Sequence, residues 1–373
     1  MAINEINANN LIESFYKAQQ CSNWKCSVQK YEAHLLRNIY KAEKSLKDGT
    51  YRQMPFYEFT LRERGKIRRI KSLHISDRVI QRAYCDGVLT PSLSKYLIYD
   101  NGASQEGKGI SFTRSRLIAH LSKFLREHQD GYILQIDFAK FFDNIPHEKL
   151  CEVVKPHIKD YELFEYLIGT FKIDVSYMTD EEYLDAQSVP FNMLKYEPCY
   201  EKQKFLNRSV GIGSQISQIV GIYYPTKIDT YCKCVRGCKY YGRYMDDIYI
   251  IHQDKEFLKS VLDGIKETAR EMGLFISDDK TRITKLSKGF SYLQIKYSIT
   301  PTGHIIKRPS AKSFTRERRR LKAYKGLLER GELSMSQIAN AYRSWRGNIL
   351  QFDAYRSVKE LDRLYQELFG GLK

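Results

Sequence analysis

Several features are missing from this chain, and each absence closes a class of protein. No apolar run approaches the ~18 residues that span a bilayer. The opening residues, MAINEINANNLIESFYKAQQ, lack the basic start and apolar block of a secretory signal. These two absences predict an intracellular, cytoplasmic globular protein with no membrane partner. Cysteine is too sparse for a disulfide scaffold, with 8 in 373 residues. Its densest cluster, Cys232, Cys234 and Cys238, has no evident fourth ligand nearby, so it reads as buried or loop thiols rather than a zinc site. No internal repeat or low-complexity tract is present. Acid is in short supply as well, with 44 Asp and Glu against 61 Lys and Arg, a net charge of +17. That surplus points to a polyanionic partner, because cations that neutralise phosphates release counterions. A membrane-surface protein is the alternative, but no lipid-facing helix accompanies the charge.

What is present can bury a core: 42% of the residues are hydrophobic and 13% aromatic. The length suits one elaborate domain or two to three subdomains. Residues 1–50 space apolar side chains by three and four, which predicts a helical N-terminal extension. FYEFTLRERGKIRRIKSL alternates and breaks at Gly65, a hairpin with a basic tip. A helix is expected from Ser76. The segment YDNGASQEGKG, 99–109, is glycine-rich and irregular. GYILQIDFAKFF reads as a strand leading into a helix after Pro146. The polar stretch 173–207 reads as a long insertion or an extended hairpin. VGIGSQISQIVGIYY is a glycine turn opening a helix, KYYGRYMDDIYIIH a hairpin, and DKEFLKSVLDGIKETAREMGL an amphipathic helix. FISDDKTRITK and GFSYLQIKYSITPTGHIIK read as strands, and from Ser310 the chain is basic and helical.

Asp246 and Asp247 stand side by side at the tip of the hairpin, between flanks that read as buried. An ordinary polar turn is one reading, since Asp favours turns. Like charges at a tight tip would however repel unless a cation neutralised them. A second apolar strand ends at Asp137. Asp137 with Asp246 would form an oxygen-ligand site suited to Mg²⁺ and substrate phosphates.

In this order, IDFAKFFDNI, IGSQISQ, YMDD, GLFISDDKT and FSYLQIKYS resemble the catalytic, nucleotide, lysine and primer-grip motifs of the reverse transcriptases. KIRRIKSLHISDRVIQRAYCD resembles the fingers of bacterial, group II intron-like members. The resemblance covers roughly Tyr51 to the C-terminus. It implies an α+β right-hand polymerase fold: fingers and palm over 51–297, the palm at about 131–155 and 210–297, and a basic helical thumb over 298–373. It implies RNA-directed DNA synthesis, with two Mg²⁺ ions (or Mn²⁺) held by Asp137, Asp246 and the Phe138 carbonyl. Asp247 would be the adjacent, secondary carboxylate, and Lys280 the acid that protonates pyrophosphate; a solvated lysine is the other reading of Lys280. Phe142 occupies the family's steric-gate position, which excludes ribose, although a core aromatic is the plainer reading. Arg68, Arg69 and Lys71 would clamp the triphosphate and template. Ile212, Gly213, Ser217 and Gln218 would line the nucleotide site, and Tyr292, Leu293 and Gln294 the primer grip. Trp345 and Arg346 belong to a thumb helix.

Two departures stand out. Ile212 replaces the glutamine that usually monitors the nascent pair, which implies looser nucleotide selection and resembles enzymes of diversity-generating retroelements. Gln294 takes a position where many relatives have glycine; with the 173–207 insertion it favours the antiphage-defence enzymes, which copy a linked noncoding RNA. The expected partners are thus an RNA template, dNTPs and the DNA product, with an accessory protein or homo-oligomer open. After Tyr297 only a thumb-sized segment remains, so no RNase H, maturase or endonuclease domain is expected. A catalytically quiet nucleic-acid-binding protein is the alternative class, against which Asp137 and Asp246 both remain. An RNA-copying RNA polymerase would share the two-metal palm, and Phe142 argues against it.

Overall fold

Apolar spacing accounts for the first three helices, Ala8–Gln19, Cys26–Ala33 and Leu35–Lys47, and the first is also capped by a side chain. Asn7 and Asn10 exchange side-chain and backbone bonds in a capping box, and Leu11, Phe15 and Ala18 are buried at helical spacing. The structure is a computed structural model that describes residues 6–63, 65–195 and 204–370. It divides into two compact units.

The first unit comprises Met1–Thr113, Leu134–Ile250 and Glu256–Arg282. Its basic hairpin is β1 (Tyr57–Glu63) and β2 (Lys66–Ser72), antiparallel with Glu63 opposite Lys66. Every residue of β1 is exposed, so this two-stranded ribbon is largely open to solvent. Directly opposed residues share a face. Tyr57, Phe59 and Leu61 therefore lie on the same face as Ser72, Ile70 and Arg68. The next helix, Ile75–Tyr84, begins one residue before the expected Ser76 because the His74 ring accepts from the Ser76 amide and acts as the cap.

β3 (Tyr132–Ile136) leads to Asp137. The 173–207 stretch is closed at its base by β4 (Ile173–Asp174) and β5 (Phe205–Leu206), which pair antiparallel as an extended hairpin would. Between them lies a helix that periodicity did not signal, Asp180–Ser188, started by a capping box of Thr179 and Glu182. Ile173, Val175, Phe191, Met193 and Leu206 give this segment its own small apolar cluster. Residues 196–203 of the expected insertion lie outside the described residues.

β6 (Tyr240–Tyr244) and β7 (Asp247–His252) are joined by two residues, and with β8 (Arg282–Lys285) they complete a four-stranded sheet of order β6-β7-β3-β8. β3 and β7 are buried along nearly their whole length, which is why both read as continuous apolar runs rather than alternating ones. The helix Lys255–Glu271 buries Leu258, Val261, Ile265, Thr268 and Ala269, the single apolar stripe of an amphipathic helix.

The second unit comprises Arg114–Ile133, Ile251–Lys255 and Ile283–Lys373. It holds an antiparallel sheet of β9 (Phe290–Tyr292), β10 (Ile295–Ile299) and β11 (Ile305–Pro309), and the helices Ala311–Glu329, Met335–Ile349 and Tyr355–Phe369. Leu321, Ile338, Tyr342, Val358, Leu361 and Tyr365 form the core of the helices. Among the described residues no helix is long and apolar enough to cross a membrane.

Candidate active site

Asp137 follows β3 directly, and the segment Phe275–Ser277 runs alongside it. The Ala139 amide donates to the Phe275 carbonyl at 2.8 Å, and the Ser277 amide to the Asp137 carbonyl at 2.9 Å. That pairing brings Lys280, three residues on, to Asp137: its Nζ lies 3.1 Å from both carboxylate oxygens. The β6–β7 connection is Met245–Asp246, with Met245 in the left-handed region at φ 55. Asp246 is thus in the turn itself, and Asp247 opens the next strand. The bend lets neighbours that would face opposite ways on a flat strand sense one another. Burial first, then the charge of Asp137, pushes the Asp246 carboxyl up, against the pull of Lys280 and Arg68. Burial and the charges of Asp246 and Asp137 push Asp247 up to about 7, against Lys66 and Lys280.

The hindered ionisation of Asp246 and Asp247 beside Asp137 marks a place where added positive charge would be stabilised. Among the described residues no three His, Cys, Asp or Glu side chains converge as a closed metal cage. Two carboxylates in a half-open setting fit Mg²⁺, which keeps waters and substrate phosphates in its shell, better than they fit a structural metal.

Phe142 lies one turn beyond Asp137, after a tight bend at Lys140 with φ 49. Its ring is half-buried rather than a core plug. A Cβ built on Gly221 would lie 2.9 Å from that ring and 3.6 Å from the Met245 sulfur. The ring therefore packs on the bare backbone of the helix Gln215–Tyr223, beside the Met245–Asp246 turn.

β2 separates the three cations that the sequence left together. Arg68, with Lys66 two residues before it, acts electrostatically on the carboxylates. Arg69 and Lys71 point the other way: Arg69 Nε meets Glu58 at 2.7 Å, and Lys71 Nζ lies 3.8 Å from Glu58 and donates to the Phe171 carbonyl at 3.3 Å. Lys71 is buried, and burial pushes its ammonium pKa down. Lys66 was not singled out from the sequence, although its two-residue offset from Arg68 was the signal that could have found it.

The IGSQISQ loop is tied to the same strand. The Lys71 amide donates to the Ile212 carbonyl at 2.9 Å, and Gly213, at φ 129, passes so close that a Cβ would stand 2.7 Å from the Lys71 carbonyl. Ser214 caps the following helix by accepting from the Ser217 amide. The Ser217 hydroxyl is buried, donating to the Val210 carbonyl beside Ser214 Oγ. Ile212 is half-buried and Gln218 is exposed.

Tyr292, Leu293 and Gln294 lie in the second unit, where Leu293 (φ 44) and Gln294 (φ 70) make a two-residue turn closing Tyr292 on Ile295. Arg114 donates to the Leu293 carbonyl. Within the helical bundle Trp345 stacks on Tyr342 at 5.8 Å, and Arg346 grips both Asp362 oxygens at 2.9 and 3.1 Å.

The family model described as "Reverse transcriptase (RNA-dependent DNA polymerase)" matches residues 58–297. Comparison with the curated proteins gives no match. Among solved structures, telomerase from Candida albicans in complex with the TWJ fragment of telomeric RNA is 14% identical, with a TM-score of 0.45, 91% of this chain covered and 66% of that one. Apo telomerase from Candida tropicalis, truncated from its C-terminal domain, is 13% identical with a TM-score of 0.43, covering 74% of this chain and 60% of that one. The chain spans less than two thirds of either.

Proposed function

Because this chain belongs to the reverse transcriptase (RNA-dependent DNA polymerase) family, we propose that it extends a DNA strand from dNTPs on an RNA template. The family is one of nucleotidyltransferases, and its right-hand polymerase fold is the α+β architecture described above. The observation that carries the proposal is the grouping of Asp137, Asp246 and Asp247 with Lys280 and Arg68 around one turn.

Asp137, Asp246 and the Phe138 carbonyl would hold Mg²⁺, which supplies charge that activates the primer hydroxyl and stabilises the leaving pyrophosphate. Asp137 and Asp246 would be the ion's carboxylate ligands, and Asp247, whose carboxyl is pushed up to about 7, the adjacent secondary carboxylate. Lys280 presents a proton at Nζ beside Asp137, which supports its role as the acid for pyrophosphate. Phe142, on the wall beside Met245, supports discrimination against a 2′-hydroxyl. Arg68 and Lys66 would take the triphosphate, while Arg69 and Lys71 brace the hairpin from its other face. Ile212 and Gly213 line the nucleotide side of the loop, with Ser217 and Gln218 in the helix that carries it; Ile212, lacking a polar atom, loosens base selection. The primer grip is assigned to Tyr292, Leu293 and Gln294. Fingers and palm are assigned to 51–297, the thumb to 298–373, and residues 1–50 form an extension.

The template is proposed to be a linked noncoding RNA and the role antiphage defence, supported by the 173–207 segment and by Gln294 at the grip. The IGSQISQ loop supports the second reading, a diversity-generating retroelement. Sequencing the RNA and DNA that co-purify from the native host separates them: one abundant noncoding RNA with short complementary DNA favours defence, and adenine-directed errors in copies of a genomic repeat favour the retroelement. For the chemistry, Asp246→Ala is expected to abolish DNA synthesis while thermal unfolding and RNA binding stay near wild type. Retained synthesis would remove Asp246 from the metal ligands.

A further inference from the structure

Arg243 stands three residues before Asp246, and a guanidinium ordinarily sits in solvent. It is instead fully buried. Its Nε and Nη2 donate to Asp229 Oδ1 at 2.8 Å and Oδ2 at 2.6 Å, and Asp229, on the helix Thr226–Thr230, is equally buried. Tyr241 Oη donates to the same Asp229 Oδ1. The remaining Arg243 donors go to backbone: Nη2 to the Ile222 carbonyl at 2.8 Å and Nη1 to the Met245 carbonyl at 3.1 Å.

The same residue is held along its main chain by a segment that sequence motifs left without a role. The Arg243 amide donates to the Asp100 carbonyl and the Gly102 amide to the Arg243 carbonyl, each at 3.1 Å, so that Asn101 bridges Arg243 in parallel. Gly102 is required at this place: a Cβ there would stand 1.9 Å from Thr113 Oγ1.

A buried ion pair is a poor way to gain stability, since desolvation consumes most of the attraction and an apolar pair would often serve as well. What an apolar pair cannot do is donate to the Met245 carbonyl. That carbonyl belongs to the peptide plane whose N–H is that of Asp246. Fixing the carbonyl fixes the plane from which Asp246 departs, next to a residue already in the left-handed region.

We propose that Arg243, oriented by Asp229, is a positioning residue that sets the Met245–Asp246 peptide plane and so aims the Asp246 carboxylate at the divalent metal. This rests on the reading of Asp246 as a metal ligand given above.

The test is Arg243→Lys in the full chain, because an ammonium keeps the charge but cannot fork to both Asp229 oxygens and two carbonyls. Electron paramagnetic resonance titration of Mn²⁺ into the protein alone should give an affinity weakened by about 10–100-fold, the usual cost of removing a support behind a metal ligand. The Mg²⁺ concentration for half-maximal primer extension should rise in step, with RNA affinity unchanged. A folded Arg243→Lys with wild-type Mn²⁺ affinity and Mg²⁺ dependence would overturn the proposal. Should that variant not fold, Tyr241→Phe removes one hydrogen bond from Asp229 and is expected to weaken Mn²⁺ by roughly 2–10-fold, in line with about 0.5–1.5 kcal/mol for such a bond; an unaltered affinity there overturns it equally. Asp246→Asn is measured beside them. If Asp246→Asn binds Mn²⁺ as wild type does, the metal-ligand reading itself fails. If it loses binding while Arg243→Lys and Tyr241→Phe do not, only the positioning role fails.

Discussion

Phe142 illustrates how far a single side chain can be read from its sequence. Its pattern fitted a core aromatic and its spacing from Asp137 fitted a gate, and the two readings differ only in what the ring touches. The ring lies against the Gly221 backbone and stays half-buried, rather than plugging the core. Phe142→Ala is expected to raise the rNTP:dNTP ratio of kcat/KM by roughly 10- to 200-fold, the range for removing shape selection in a pocket; single-nucleotide incorporation assays measure it, and an unchanged ratio would return Phe142 to a packing role. Close to Phe142 in the chain, the half-buried Asp143 and the buried His147 have shifts no motif announces. Burial raises Asp143 from 3.8 to about 6 and lowers His147 from 6.5 to about 4. Between those values folded Asp143 keeps a proton that the unfolded chain has released, so its contribution to stability falls as pH rises from about 4 to 6. His147 runs the other way, because the unfolded chain binds a proton that the folded one refuses, and stability rises from about pH 4 to 6.5. In the wild type the trends offset each other. Asp143→Asn removes the first, so its stability relative to wild type should climb from about pH 4 to 6 in urea unfolding; a flat difference would contradict the shifts.

Elements whose signals are local were legible. The basic hairpin, the strand ending at Asp137 and the two-residue turn at Asp246 all depend on alternation and turn chemistry within a few residues. What depended on distant partners was not. The flanks of Asp246 read as buried, but the partner that makes a buried Arg243 tolerable, Asp229, lies 14 residues earlier on another element and no local pattern announces it. The glycine-rich stretch at 99–109 had no assignable partner until β6 was placed beside it. The helix Asp180–Ser188 was missed because its capping box was overlooked in a segment with little apolar period. Within β2, alternation divides the labour among cations. Arg68→Ala should raise the KM for dNTPs roughly tenfold, consistent with about 1.5–3 kcal/mol for a hydrogen bond to a charged group. Arg69→Ala, which loses the Glu58 ion pair on the opposite face of the strand, should leave KM unchanged and cost within about 1 kcal/mol of stability. Steady-state kinetics with thermal unfolding separates the two, and equal effects on KM would argue against the division.

At the scale of the molecule, the net charge of +17 makes any complex with nucleic acid sensitive to salt. The ribbon of β1 and β2 adds a second, uncharged ingredient. Tyr57, Phe59 and Leu61 are 72%, 39% and 45% exposed, on the face that also carries Arg68. Water ordered over those rings and methyls in the free protein leaves when the face is covered, and its departure registers as heat capacity rather than as charge. Calorimetric titration of an RNA–DNA primer–template at two temperatures should therefore give a negative heat-capacity change that persists as salt is raised and shrinks in a Tyr57→Ala, Phe59→Ala double variant. An unchanged value in that variant would mean the ribbon's apolar face stays wet in the complex. Nucleic acid bound on the hairpin would thus be held by two contributions at once, one that added salt can switch off and one that only temperature reveals.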